Sequence, residues 1–391
     1  MVDFGVFMGK FDQIRPFNDN EVQAVIKRII ADTEMQQIIV DYRFGYLPSF
    51  LKPMAKKVFL AWLKIMTFNV KTVYQAQMLL KSSVEKMIES TISEFSYSGI
   101  DKLNKSQSYL FISNHRDIAL DPLLVNYALY LEGLDTVRIA IGDNLLSKGF
   151  VSDLMRLNKS FIVKRSKKAP RQMLSSLKLL SEYIHVSIQQ DNESVWIAQR
   201  EGRAKDALDK TDPAMLKMLS LNQRKQPLSD VINSLSVVPV AISYELDPCD
   251  EEKANELRQV GLNGSYLKQE HEDIASIAKG IKGQKGRVHL AFGEVIKQPF
   301  HSEAELASYL DQQILSLYHL HLSHVVAYEM LYGKDEFSTQ HIQKLKIGKT
   351  ELANFRANFK CRVESLANIE NQSYLLMQYA NPVLAKIMSI K

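Results

Sequence analysis

Tyr109-Leu-Phe-Ile-Ser-Asn-His-Arg-Asp-Ile-Ala-Leu-Asp-Pro-Leu-Leu-Val-Asn-Tyr127 is the stretch on which the reading of this chain turns. Tyr109 to Ile112 is a short apolar run, the pattern of a strand buried on both faces, and Pro122 opens a helical pattern through Leu123, Leu124 and Tyr127. The turn between them holds Asn114, His115, Arg116, Asp117 and Asp121. In α/β proteins functional groups gather at the carboxyl ends of strands, which makes this turn the candidate site. A histidine beside carboxylates points to a general base. Pro122 suits the first helical position, so Asp121 is expected to cap the helix with one oxygen while the other can hold His115. Asp117, two residues from His115 and next to Arg116, is more simply explained by a local turn or an ion pair.

Working outward, the 391 residues suffice for a large core and two or three domains. Hydrophobic content of 46% and charged content of 24% are ordinary for a globular chain and exclude a disordered one. The two cysteines, Cys249 and Cys361, are far apart and outside any CxxC spacing, so neither a disulfide framework nor a zinc site is expected, and a reducing, cytoplasmic setting is. No apolar run reaches the ~18 residues of a membrane span, and no secretory leader is expected.

Towards the N-terminus, residues 18–33 read as an amphipathic helix with Asn18 and Glu21 spaced as a capping box. Phe50 to Ser90 carries seven lysines against two glutamates, interleaved with Phe59, Trp62, Ile65, Met66 and Phe68. Basic amphipathic helices with Trp and Phe on the apolar side bind anionic bilayers, so contact with a membrane surface is expected here. The lysines are dispersed and no nucleic-acid module is visible, so no nucleic-acid partner is expected.

Towards the C-terminus, apolar runs at residues 137–141, 160–163, 194–198, 237–244 and 287–292 alternate with helical patterns, notably Arg171 to Gln189. This predicts an α/β fold, a central mostly parallel or mixed sheet flanked by helices, with N-terminal and C-terminal helical regions. The expected division is 1–94, helical and membrane-facing; 95–300, the α/β domain; and 301–391, helical. Within the domain, Lys148 to Arg171 holds eight basic residues and one acid, Asp153, a field that attracts phosphates. His319, His321 and His324 lack an acidic cluster, and no metal is expected.

Four segments in order carry a resemblance to the glycerolipid acyltransferases, of the bacterial membrane glycerol-3-phosphate and 1-acylglycerol-3-phosphate type. The first is the stretch quoted above. The family sets four residues between a catalytic His and its Asp, whereas five separate His115 from Asp121 here, which leaves open whether Asp117 or Asp121 is the partner. The second is Phe161-Ile-Val-Lys164-Arg165, where the resemblance implies that Arg165 binds the acceptor's phosphate and Lys164 stands for the usual first arginine. The third is Glu201-Gly202-Arg203, one residue short of the family pattern, with Lys205 as a further phosphate ligand. The fourth is Val238-Pro239, whose proline is implied to shape the acyl pocket.

The resemblance covers about residues 95 to 300. It implies transfer of a fatty acyl group from acyl-CoA or acyl carrier protein to glycerol-3-phosphate or its 1-acyl derivative, with no cofactor beyond that co-substrate. Asn114 and Arg116 join the candidate substrate contacts. The enzyme is expected on the cytoplasmic face of the inner membrane. The shortened third motif also admits a non-phosphorylated or lyso-aminolipid acceptor, and the lengthened first motif a non-catalytic lipid-binding scaffold.

Overall fold

The apolar runs become strands of a computed structural model that describes residues 9–146, 148–164, 169–269 and 272–390. In chain order these are β1 (Ile92–Ser98), β2 (Leu110–Ser113), β3 (Arg138–Gly142), β4 (Ser160–Val163), β5 (Val195–Ala198), β6 (Val237–Tyr244) and β7 (Gly286–Phe292). Two compact units contain them: one holds the described residues of 1–85 and 138–183, the other those of 86–137 and 184–391. These units cut across the expected divisions, because 138–183 groups with the N-terminal helices and 301–391 with the first and last strands.

In the second unit β2 lies between β5 and β6 and runs parallel to both. Every residue of β2 and β6 is buried, the reason both read as unbroken apolar runs. β7 is antiparallel to β6 and parallel to β1. β1 is absent from the expected strands because only Ile92 is fully buried and its serines and Glu94 interrupt any run. Pro239 pairs with Ile112 in the body of β6. Its carbonyl accepts from Gly293 N at 2.8 Å, beyond the last β6–β7 pair, Val240 with Phe292. The N–H that proline lacks would point to the same side, where the ladder has already ended. The register sets Ser113 opposite Ala198, so the turns after β2 and β5 leave the sheet side by side.

The helices Glu303–Leu317, Leu322–Tyr332 and Glu370–Ile390 build a core with sheet residues Ala241 and Ala291, through Ile314, Tyr318, Val326, Leu375 and Tyr379. They belong to the same compact unit as the quoted turn.

In the first unit, the expected helix over 18–33 is a 3-10 turn, Asp19–Glu21, followed by Val22–Ala31, and it ends where Asp32 caps the helix Thr33–Phe44. Glu21 does reach back to Asn18 N, at 2.7 Å. Val22, Val25, Ile26, Ile29 and Ile30 form one buried face against Phe150 and Leu157. β3 and β4 pair in parallel. The helix Lys52–Thr67 has no buried residue at all. No helix among the described residues is long and apolar enough to cross a membrane.

Candidate active site

After β2 the backbone passes through a turn at residues 114–119 into the helix Leu120–Leu131, which begins one residue before Asp121 and two before Pro122. Asp121 is therefore inside the first turn and is not the N-cap; that position is Ala119. Proline is tolerated throughout a first turn, where the N–H groups have no intrahelical partner, so Pro122 does not mark the start. The cap comes from Asp117, whose Oδ1 accepts from Ala119 N at 3.0 Å and Leu120 N at 2.9 Å. Burial, and then the charge of Asp121, push the Asp117 carboxyl above its usual range.

Freed from capping, Asp121 turns wholly to the site. Its Oδ2 lies 2.8 Å from His115 Nδ1 and accepts from Arg116 N at 2.6 Å and Asp117 N at 3.0 Å. Its Oδ1 accepts from Tyr244 Oη at 2.9 Å. Asp121 is fully buried. The additional residue between His115 and Asp121 is taken up in the turn, and the pair still meets. Burial and the Asp121 charge raise Tyr244 well above the ordinary tyrosine range, which keeps its proton in the bond to Asp121. With a carboxylate facing Nδ1, the proton belongs on Nδ1 and the lone pair on Nε2. The indole of Trp196 on β5 stands edge-on to the imidazole, 5.8 Å between centroids, and is fixed by Nε1 donating to Ser113 Oγ at 3.0 Å.

Asn114 is consumed by the fold: Nδ2 donates to Ile242 O at 2.9 Å and Oδ1 accepts from Ile242 N at 2.7 Å, fastening the end of β2 to β6. Arg116 also turns inward. It is 6% exposed, with Nη1 at 3.8 Å from Asp209 Oδ2 and Nη2 at 3.9 Å from Asp247 Oδ2. Lys253 pairs with Asp247 and donates to Arg116 O at 2.7 Å. Burial opposes the Asp247 charge, yet Lys253 and Arg116 hold its carboxyl below the usual range. Asn114 thereby supports the turn, while Arg116 is drawn inward by the two carboxylates with its Nη1 buried and without a hydrogen-bond partner.

Three members of this network, Asp209, Asp247 and Lys253, escaped the sequence reading. Asp209 is the nearest of them to His115, whose backbone N–H it accepts at 3.3 Å, and burial raises its carboxyl above the usual range. No motif marks any of the three; only the folded topology brings them to the turn after β2.

After β5, Glu201 and Gly202 are exposed, and Gly202 has φ +75° with open space where a Cβ would stand. Arg203 Nη1 is buried without a hydrogen-bond partner. Lys205 is already engaged, 3.1 Å from Glu256 Oε1, and burial lowers it below the usual lysine range. Lys164 lies in the first unit, its Nζ donating to Gln13 Oε1 at 2.6 Å, and Arg165 falls outside the described residues. Pro239 packs on Gly293, where an added Cβ would come within 2.7 Å of its ring. Among the described residues no group of histidine, cysteine and carboxylate side chains could hold a metal.

Residues 94–243 match the family model Acyltransferase. Among solved structures the chain is similar to the 1-acyl-sn-glycerophosphate acyltransferase from Thermotoga maritima, at 14% identity and a TM-score of 0.33, over 76% of this chain and 95% of that one. No curated protein sequence matches it.

Proposed function

We propose that this chain, whose residues 94–243 match the family model Acyltransferase, transfers a fatty acyl group from acyl-CoA or acyl carrier protein to a hydroxyl of glycerol-3-phosphate or 1-acylglycerol-3-phosphate. The observation that carries the mechanism is the His115 Nδ1 to Asp121 Oδ2 contact of 2.8 Å on a fully buried carboxylate. It leaves Nε2 free to take the acceptor's hydroxyl proton as the oxygen attacks the thioester carbonyl. The tetrahedral intermediate collapses, the C–S bond breaks, and the imidazolium returns the proton to the leaving thiolate. Base catalysis of this kind is worth roughly 100- to 10,000-fold. Asp121 holds the tautomer and stabilises the imidazolium.

The acceptor's phosphate falls to Arg203, whose unpartnered buried Nη1 favours an anionic ligand. Delivery of the lipid product falls to the helix Lys52–Thr67. Met54, Val58 and Ile65 recur there at helical spacing, 63%, 65% and 75% exposed, beside Lys56, Lys57 and Lys64. An uncovered apolar stripe flanked by lysines fits the surface of an anionic bilayer.

Thiol release from palmitoyl-CoA by the purified protein, with glycerol-3-phosphate, 1-acylglycerol-3-phosphate, monoacylglycerol or no acceptor, tests the reading. Release that depends on a phosphorylated acceptor is expected. Equal release with monoacylglycerol would remove the phosphate role of Arg203, and no acceptor dependence at all would remove acyl transfer.

A further inference from the structure

The segment joining β5 to the helix Pro213–Leu219 carries Glu201, Gly202 and Arg203, and it is closed at its base by Asp212 N donating to Gln199 O at 2.9 Å. Two of its residues are left-handed, Gly202 at φ +75° and Ala207 at φ +58°. For alanine that conformation is disfavoured by its Cβ, and it persists where the surroundings over-determine the backbone.

The surroundings are helices from outside the matched 94–243 segment. Asp311, on Glu303–Leu317, accepts through Oδ1 from both Thr211 N and Thr211 Oγ1, each at 2.7 Å. Asn381, on Glu370–Ile390 and 6% exposed, donates from Nδ2 to Asp206 O at 2.8 Å. Glu256 holds Lys205, as described above. The loop's other tie runs to the base: Asp209 accepts from His115 N at 3.3 Å and stands 3.8 Å from Arg116. One loop therefore connects Arg203, whose Nη1 is buried without a hydrogen-bond partner, to the backbone of His115.

We infer that Asp311 and Asn381 are positioning residues that clamp this loop and so fix Arg203 relative to His115, giving the C-terminal helices control of acceptor binding without contact to either substrate. The inference rests on the reading of Arg203 as the ligand of the acceptor's anionic group. Beside the Lys205–Glu256 pair, Asp311 and Asn381 make three bonds that hold the loop at two points, Thr211 and Asp206, on the far side of Arg203 from β5. Releasing either point loosens the arginine end, while the bond between His115 and Asp121 and the pairing of β2 do not involve the loop. A displacement of about 1 Å in a positioned group costs on the order of 100-fold, so the expected loss is large and confined to one substrate.

The test uses the full chain with Asp311→Ala, Asp311→Asn and Asn381→Ala. In both alanine variants the KM for glycerol-3-phosphate or 1-acylglycerol-3-phosphate is expected to rise about 10- to 100-fold, with the KM for palmitoyl-CoA within about twofold of wild type. Asp311→Asn keeps the side chain's bulk and an oxygen for Thr211 and is expected to restore the acceptor KM to near the wild-type value. Hydrogen exchange followed by mass spectrometry should show faster exchange confined to peptides covering 199–212 in the alanine variants. An unchanged acceptor KM, or equal rises for donor and acceptor, would overturn the inference, as would unchanged exchange. Should wild-type protein transfer to no acceptor, it is the acyltransferase reading that fails, and the exchange arm by itself decides whether Asp311 and Asn381 clamp the loop.

Discussion

Asp121 receives four donors on two oxygens, from His115, Arg116, Asp117 and Tyr244, which is the full capacity of a carboxylate. Asparagine can reproduce most of this. Its carbonyl oxygen at the Oδ2 position keeps three donors, and its amide can donate to a rotated Tyr244 hydroxyl. What it loses is the charge opposite the imidazolium, so Asp121→Asn should remain folded and lose about 100-fold or more in kcat. Asp117→Asn should keep most activity, because its Oδ1 role as cap of the helix Leu120–Leu131 needs only an oxygen. Steady-state kinetics with thermal unfolding of each variant checks both expectations; an inactive Asp117→Asn beside an active Asp121→Asn would reverse the assignment. The candidate pair was legible in the sequence because His115 and both aspartates share one turn. The functions of Asn114 and Arg116 were not, since a side chain's direction depends on the β6 backbone and on Asp209 and Asp247, all distant in the chain.

Among the elements, the helix Glu272–Lys282 shows how tightly the turn is held from outside. A Cβ on Gly280 would stand 2.3 Å from Asp117 Oδ2, a buried atom whose carboxyl group is pinned by two backbone bonds. Glycine to alanine within a helix is ordinarily stabilising by roughly 1 kcal/mol. Here the sign should reverse, Gly280→Ala costing about 1–3 kcal/mol by overpacking and lowering activity through the displaced turn. Chemical denaturation measures the first and thiol release the second. The helix Lys52–Thr67 makes a separate claim: its binding to anionic vesicles should weaken as salt rises and fall further in Lys56→Glu/Lys57→Glu. Salt-independent binding, or none, would leave its apolar stripe without the proposed partner. Strands buried on both faces were readable as apolar runs, while β1, half-covered at the sheet's edge, was not. The helix Leu120–Leu131 starts two residues before the position that Pro122 suggests, because proline is tolerated at several places in a first turn.

At the scale of the whole molecule, the region after Leu317 belongs to the unit that holds His115, and its stability is expected to depend on pH. His321 and His324 sit at the start of the helix Leu322–Tyr332, where His324 Nδ1 accepts from His321 N at 2.9 Å and Nε2 faces Tyr318 Oη at 3.2 Å. Burial, with the positive charge of Arg116 nearby, lowers His324 from 6.5 to about 3. Burial and the neighbouring His324 and His319 hold His321 well below its ordinary value. The unfolded chain therefore binds protons that the folded one refuses. These two residues cost no stability above pH 6.5, and stability should fall as the pH drops below it. Urea midpoints measured from pH 7.5 to 4.5 check this, and His324→Gln should flatten the slope. Composition and spacing gave no sign that these histidines were buried, nor that Asp311 and Asn381 would reach the Glu201–Arg203 loop, since such pairings arise from the order in which strands and helices assemble. The most direct test of the account is formation of acylated lipid by wild-type protein and by His115→Ala, each shown folded, from palmitoyl-CoA and a phosphorylated glycerol acceptor. The account predicts product from the wild type and at least a 100-fold loss in the variant; equal product from both would contradict it.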